Sequence, residues 1–133
     1  MARLYINLPV SDLTKATAFY TALGFSHNQK FSNEQASAMV YDDMLSVMLL
    51  SHDFMRSFLP DHKSICSNTH NEVLNALQLD SKQEVDIFYH NAINAWWKPT
   101  IPVYDHWFMY GKDFEDLDGH IREVFWMDTQ TSL

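Results

Sequence analysis

An α+β fold of two β-α-β-β-β modules, paired into a cupped and mainly antiparallel sheet, is the architecture this sequence predicts. Three observations carry it. The first 51 residues read as a strand, a helix and three further strands; the same order restarts near residue 72; and the two stretches superimpose at a fixed offset of 69 residues, with Phe19-Tyr20 over Phe88-Tyr89 and Leu8 over Leu77. The 133 residues are therefore read as a single domain, 1–133, made of a first module (1–51), a connector (52–71) and a second module (72–128). Modules of this length bury too little surface to stand comfortably alone, so each one-sided sheet is expected to need a partner.

Each element has a local reason. Residues 3–10 alternate, with Leu4, Ile6 and Leu8 on one side and Arg3, Tyr5 and Asn7 on the other, which is the period of a strand with unlike faces. Ser11 or Asp12 can cap the helix that follows, where Leu13, Ala16, Phe19, Tyr20 and Leu23 recur at helical spacing and Gly24 supplies the stop. Extended segments are expected over 25–32, 36–42 and 45–51, separated by polar turns. A short helix over 53–59, ended by Pro60, opens the connector. In the second module 72–80 reads as strand, Ser81 caps a helix running to about Trp97, and strands follow near 99–104, 107–114 and 121–127.

Composition narrows the function. A content of 47% hydrophobic residues supports a packed core and excludes global disorder. Seventeen acidic against nine basic residues give a net charge of −8, which repels phosphate backbones and argues against nucleic acid. No stretch has the length and apolarity of a membrane span or of a signal peptide's core, so no membrane association and a cytoplasmic location are expected. The one cysteine, Cys66, cannot form an intrachain disulfide and has no adjacent base to make it a nucleophile. With three glycines in all, no phosphate-binding loop is present. The acidic run Asp113, Glu115, Asp116 and Asp118 lacks calcium-loop spacing and reads as a solvated turn.

The segment LPVSDLTKATAFYTALGF, through Val10, Asp12-Leu13, Phe19-Tyr20 and Leu23-Gly24-Phe25, resembles the opening of the vicinal oxygen chelate superfamily, which includes glyoxalase I, bleomycin resistance proteins and extradiol dioxygenases. FEDLDGHIREVFWMD resembles its closing strand, with a turn at Asp118-Gly119 leading to Glu123. The style is most similar to a bacterial glyoxalase-like branch labelled lactoylglutathione lyase by similarity. The resemblance implies the glyoxalase/bleomycin resistance/dioxygenase fold, a homodimer, and four positions for a divalent metal, from the first and last strands of each module. Those positions fall on Tyr5, Leu49, Leu74 and Glu123. Leucine offers no donor and a neutral phenol is a poor one, so no metal ligand set and no cofactor are expected, a divalent metal being admitted only at an atypical site.

What the resemblance leaves is a cup lined by Tyr5, Asn7, Leu49, Leu74, Gln78 and Glu123, with Ala76 and Phe125 beside them by strand alternation. Trp107 and Tyr110 are placed to line or cap it, with plain packing as the alternative, whereas Trp126 has the opposite parity to Glu123 and should face the helices. Apolar walls with a few polar anchors suit a small organic ligand. The expected function is binding such a molecule without classical glyoxalase I activity. The alternative is an enzyme of the same superfamily (a lyase, dioxygenase or transferase) that uses a relocated metal or Glu123 as a base. His106 and His120 are expected at turns, since an H-x-x-E spacing on a strand points the two side chains to opposite faces.

Overall fold

The computed structural model describes residues 2–65, 69–95, 98–99, 104–106 and 108–128. Cys66, Trp96, Trp97 and Trp107 lie outside the described residues. The chain divides into two units, Met1–Ser67 and Asn68–Leu133.

In the first unit, β1 (Leu4–Val10) leads to α1 (Leu13–Ala22), then β2 (Ser26–Asn28), a 3-10 turn at Gln29–Phe31, β3 (Ala36–Val40), β4 (Leu45–Ser51) and the short α2 (His52–Arg56). The strand order is β1-β4-β3-β2. β1 runs parallel to β4, while the other neighbours are antiparallel, because a helical crossover separates β1 from the hairpin strands. Asp12 is the residue that caps α1, its carboxylate accepting from the Lys15 backbone N–H at 3.0 Å. The helix ends in a Schellman motif: Phe25 N–H reaches the Tyr20 carbonyl, Gly24 N–H reaches that of Thr21, and Gly24 takes φ +106°. The accompanying apolar contact is the Tyr20–Phe25 ring pair, 5.4 Å between centroids.

The strand expected over 25–32 is reduced to three residues. Asn28 and Ser32 bend the chain there, the Asn28 side chain accepting from Lys30 N–H and the Ser32 hydroxyl donating to the Asn28 carbonyl. Asp42 closes the β3–β4 hairpin by accepting from the N–H groups of Met44 and Leu45. Val10, Phe19, Tyr20, Met39, Val47 and Leu49 are buried in this unit's core.

The second unit repeats the plan with β5 (Asn75–Gln78), α3 (Lys82–Asn94), β6 (Lys98–Pro99), β7 (Tyr104–His106), β8 (Met109–Glu115) and β9 (Ile121–Met127). The order is β5-β9-β8-β6, with β7 also on β8, and β5 is parallel to β9. Ser81 caps α3 through the Glu84 N–H, and the Glu84 carboxylate reaches back to the Asp80 N–H. α3 stops at Asn94, short of the expected end. β5 is four residues long, and Glu72, Val73 and Leu74 precede it in an exposed loop. Asp116 closes the β8–β9 hairpin through the N–H groups of Asp118 and His120, with Gly119 at φ +81°. Val85, Phe88, Phe114 and Val124 form the core.

Candidate functional site

Residues paired across a sheet share a face, so one contact to a helix orients the whole register. In the first unit the Ser37 hydroxyl is 2.7 Å from the Thr17 hydroxyl on α1. Ser37 pairs with Leu49, and Leu49 with Leu8, so all three look toward α1. Tyr5, Asn7, Met48 and Ala38 occupy the other face. This corrects the expectation for Leu49: its side chain is fully buried on the helix side and cannot share a site with Tyr5 or Asn7. The residue beside Asn7 is Met48, one position away, because β4 starts its pairing at Leu4↔Leu45 and a one-residue slip exchanges the faces.

In the second unit the Tyr110 hydroxyl donates to Asp86 Oδ1 on α3 at 2.6 Å, Lys112 Nζ lies 3.0 Å from the same oxygen, and the Phe88 and Phe114 rings are 6.1 Å apart. The helix-side face of β8 and β9 therefore carries Tyr110, Lys112, Phe114, Arg122, Val124 and Trp126. Of the two readings of Tyr110, lining a cavity with Glu123 or plain packing, it takes the second and ties the sheet to α3, since position 110 has the parity of Val124. Trp126 faces the helix as alternation predicts, with Lys82 Nζ 5.5 Å from its ring centre. Around Asp86 the charges adjust to one another. Burial opposes ionisation of Asp86, but the bonds from Tyr110 and Lys112 outweigh it and hold the carboxyl below its ordinary range. Burial and the bond to Asp86 raise the Tyr110 phenol. Burial alone would lower Lys112, yet its bond and attraction to Asp86 leave it raised.

The opposite face holds Glu123, with Ala76 of β5 on one side and Asp113 of β8 on the other, and Gln78, Phe125 and Gly111 one pair along. Glu123 and Phe125 are half-buried and Gln78 is exposed. Asp113 is only 7% exposed, and its Oδ1 has no hydrogen-bond partner among the described residues. Burial, and then the neighbouring Glu123, push its carboxyl above the usual range. The expectation of a solvated turn fails for Asp113, which lies inside a strand, and for Asp116, which closes the β8–β9 hairpin but is only 6% exposed. The signal was available: with β9 in register, a residue five positions before Asp118 falls opposite Glu123.

Tyr5 and Leu74 are both more than half exposed. Asn7 is exposed on the face away from α1. His106 is an exposed β7 residue whose ring stacks on Phe108, and His120 sits in the β8–β9 turn. A separate open hollow of about 450 Å³ lies beside α1, lined by Leu13, Thr14, Thr17, His27, Asn33, Glu34 and Ser37. Its floor is already paired, Thr17 to Ser37 and Asn33 to the backbone at Gln35 and Ala36.

Residues 4–40 match the model of the family described as bleomycin resistance protein-like N-terminal. No curated protein matches the chain. Among solved structures, hypothetical protein SA1046 from S. aureus aligns at 25% identity over 95% of this chain and 94% of its own, with a TM-score of 0.77. A glyoxalase/bleomycin resistance protein/dioxygenase family enzyme from Burkholderia phytofirmans PsJN aligns at 15% identity over 92% and 96%, with a TM-score of 0.73. The bleomycin resistance determinant encoded on transposon Tn5 aligns at 18% identity over 96% and 99%, with a TM-score of 0.67.

The chain has the fold of the glyoxalase/bleomycin resistance protein/dioxygenase structures, and its first module carries the bleomycin resistance protein-like sequence match.

The resemblance to the vicinal oxygen chelate superfamily implies a divalent metal, and the residues present can be tested against it. With the register corrected, the four positions are Tyr5, Met48, Leu74 and Glu123. Met48 offers a soft thioether, Leu74 nothing, and Tyr5 a phenol that must ionise before it binds a metal well. This donor set does not fit a Lewis-acid ion such as zinc, nickel or manganese. Among the described residues no three His, Cys, Asp or Glu side chains converge to replace it. No helix among them is long and apolar enough to cross a membrane.

Proposed function

We propose that this chain is a vicinal oxygen chelate protein that binds a small organic molecule on the Glu123 face of its second sheet, and does so without the four-donor metal chemistry of classical glyoxalase I. The observation that carries the proposal is the donor set: after the register is corrected, one of the four positions, Glu123, has a side chain a divalent ion of the usual kind would take. Half-buried Phe125 and exposed Ala76 supply apolar contact, and Glu123 and Gln78 supply polar anchors on the same face, which is the mixture that orients a small ligand. The test is elemental analysis of extensively dialysed protein together with a hemithioacetal turnover assay. The proposal expects no stoichiometric zinc, nickel, manganese or iron and no turnover; a dialysis-resistant equivalent of metal overturns it.

The second reading is an enzyme that uses Glu123 as a base, and the observation favouring it is the second carboxyl beside Glu123. It requires turnover of some substrate that Glu123→Gln abolishes while the fold is retained. As with many members of the superfamily, we propose a cytoplasmic homodimer, which light scattering would size.

A further inference from the structure

We propose that His106, Met109 and Met127, side by side on β7, β8 and β9, form a binding site for a soft monovalent metal ion, copper(I). The three are successive register partners, His106 with Met109 and Met109 with Met127, so they make one row across the sheet. Their neighbours fix the face the row takes. Asp105 reaches Lys82 of α3, Tyr110 reaches Asp86 of α3, and Lys82 lies over the Trp126 ring, so those three side chains are on the helix side. Alternation puts His106, Met109 and Met127 on the opposite face. The backbone beneath the row is held on both flanks, by the pairing of Asp105 with Tyr110 and by the Asp128 N–H, which donates to the Phe108 carbonyl at 2.8 Å. Glu123 is two same-face steps away, about 13 Å along β9, so the proposal is independent of the ligand reading above.

The row can converge and can be reached. Neighbouring strands stand about 5 Å apart, so the outer two residues are about 10 Å apart with Met109 between them. Each methionine has three rotatable bonds and a polarisable sulfur, which lets both thioethers lean toward a point above the middle strand. The His106 ring is oriented by stacking on Phe108, 5.8 Å between centroids, and neither of its nitrogens is hydrogen-bonded among the described residues. Met109 and Met127 are half-buried and His106 is exposed, so an ion enters from the open side. One imidazole and two thioethers make a neutral, soft donor set. It would leave the charge of a divalent ion unbalanced and offers no oxygen to a hard one, whereas a soft monovalent ion finds the donors it prefers. The net charge of −8 draws a cation toward the protein.

The experiment is an NMR titration of the full chain with methyl-labelled methionine, in a Cys66→Ser background because a thiol would compete for the same ion. The probes are copper(I) without oxygen, silver(I) in chloride-free buffer as its air-stable stand-in, and zinc(II). Copper(I) and silver(I) are expected to saturate at one equivalent, shifting the Met109 and Met127 methyls and the His106 ring while the Met39 and Met44 methyls stay in place. In competition with bicinchoninate, Met109→Leu, Met127→Leu and His106→Phe are each expected to weaken copper(I) at least tenfold, and Met44→Leu, at an exposed methionine outside the row, less than twofold. The methyl pattern of the unsubstituted row stands even if one of these variants fails to fold. No response of the row, equal shifts at every methionine, or zinc(II) saturating the row more tightly than silver(I) each overturns the proposal. The small-ligand reading stands or falls separately, on zinc, nickel, manganese or iron retained after dialysis.

Discussion

The two modules solve the same folding problem with different chemistry, and their register shows where they diverged. From first strand through helix the offset is 69, as in Leu8 and Leu77 or Thr17 and Asp86; across the final hairpin it becomes 75, as in Leu49 and Val124 or Ser37 and Lys112. On the helix side the equivalent positions are therefore Thr17 with Ser37 in the first module and Asp86 with Lys112 in the second, so a hydroxyl pair at 2.7 Å is replaced by an ion pair at 3.0 Å. On the other face Ala38 and Met48 correspond to Asp113 and Glu123. One module presents an apolar pair where the other presents two acids. Chemistry has been concentrated in one copy of a duplicated plan, while the structural role of each position is retained.

The largest expected effect tests the facing that underlies this comparison. Leu49→Asp puts a carboxylate against α1 in a fully buried position and should cost about 4 kcal/mol or more, whereas Met48→Glu, which copies Glu123 into the first module, should cost about 1 kcal/mol. Urea unfolding of both variants decides it; the reverse order would restore Leu49 to the open face. The next effect has the opposite sign. Asp113→Ala gives the second module the residue of the first, removes a buried oxygen that has no partner among the described residues, and should stabilise by about 1–3 kcal/mol at pH 7. Because the folded carboxyl holds its proton more tightly than the unfolded one, wild type is favoured by acid through this group and penalised as pH rises through the folded value. The gain should therefore shrink in acid, and thermal melts against pH would show it. A gain independent of pH would assign the effect to packing.

Smaller again is the helix lock. Tyr110→Phe removes one bond to Asp86 and, because Asp86 is partly exposed, should cost about 1 kcal/mol, comparable to Ser37→Ala in the first module. The two should differ in pH dependence. The Asp86 carboxyl is lowered in the fold, so its contribution is present above the unfolded value and fades as pH falls through the folded one. The cost of Tyr110→Phe should fade with it, while that of Ser37→Ala should stay constant. Parallel profiles would show that the Asp86 charge contributes nothing to the lock.

Element order, both helix caps and the strands 45–51 and 121–127 were legible in the sequence, because alternation, helical spacing and Ser/Asp/Gly punctuation are local signals. The Trp126 facing was legible for the same reason. Leu49 and Tyr110 were not, since each depends on which residue of a partner strand it meets, and β4 is apolar on both sides: Val47, Leu49 and Leu50 are all buried, so no alternation remains to mark a face. Asp113 was missed because the acidic run leads into a turn at Asp116–Gly119, and composition does not separate strand and buried acids from those of the turn. The shortened β2 was hidden by Asn28 and Ser32, whose side chains compete with the ladder for backbone groups.

The paired helix locks also make the molecule its own control for ionic strength. Salt screens exposed charges within about 8–10 Å at ordinary concentrations, yet reaches a sheltered ion pair less and a hydroxyl pair hardly at all. Lys112, with its side chain 13% exposed, sits between these limits, and Thr17 with Ser37 provides the uncharged reference in the same chain. A difference between the two halves on adding salt therefore reports how much of the second module's cohesion is electrostatic, with chain, buffer and temperature held identical.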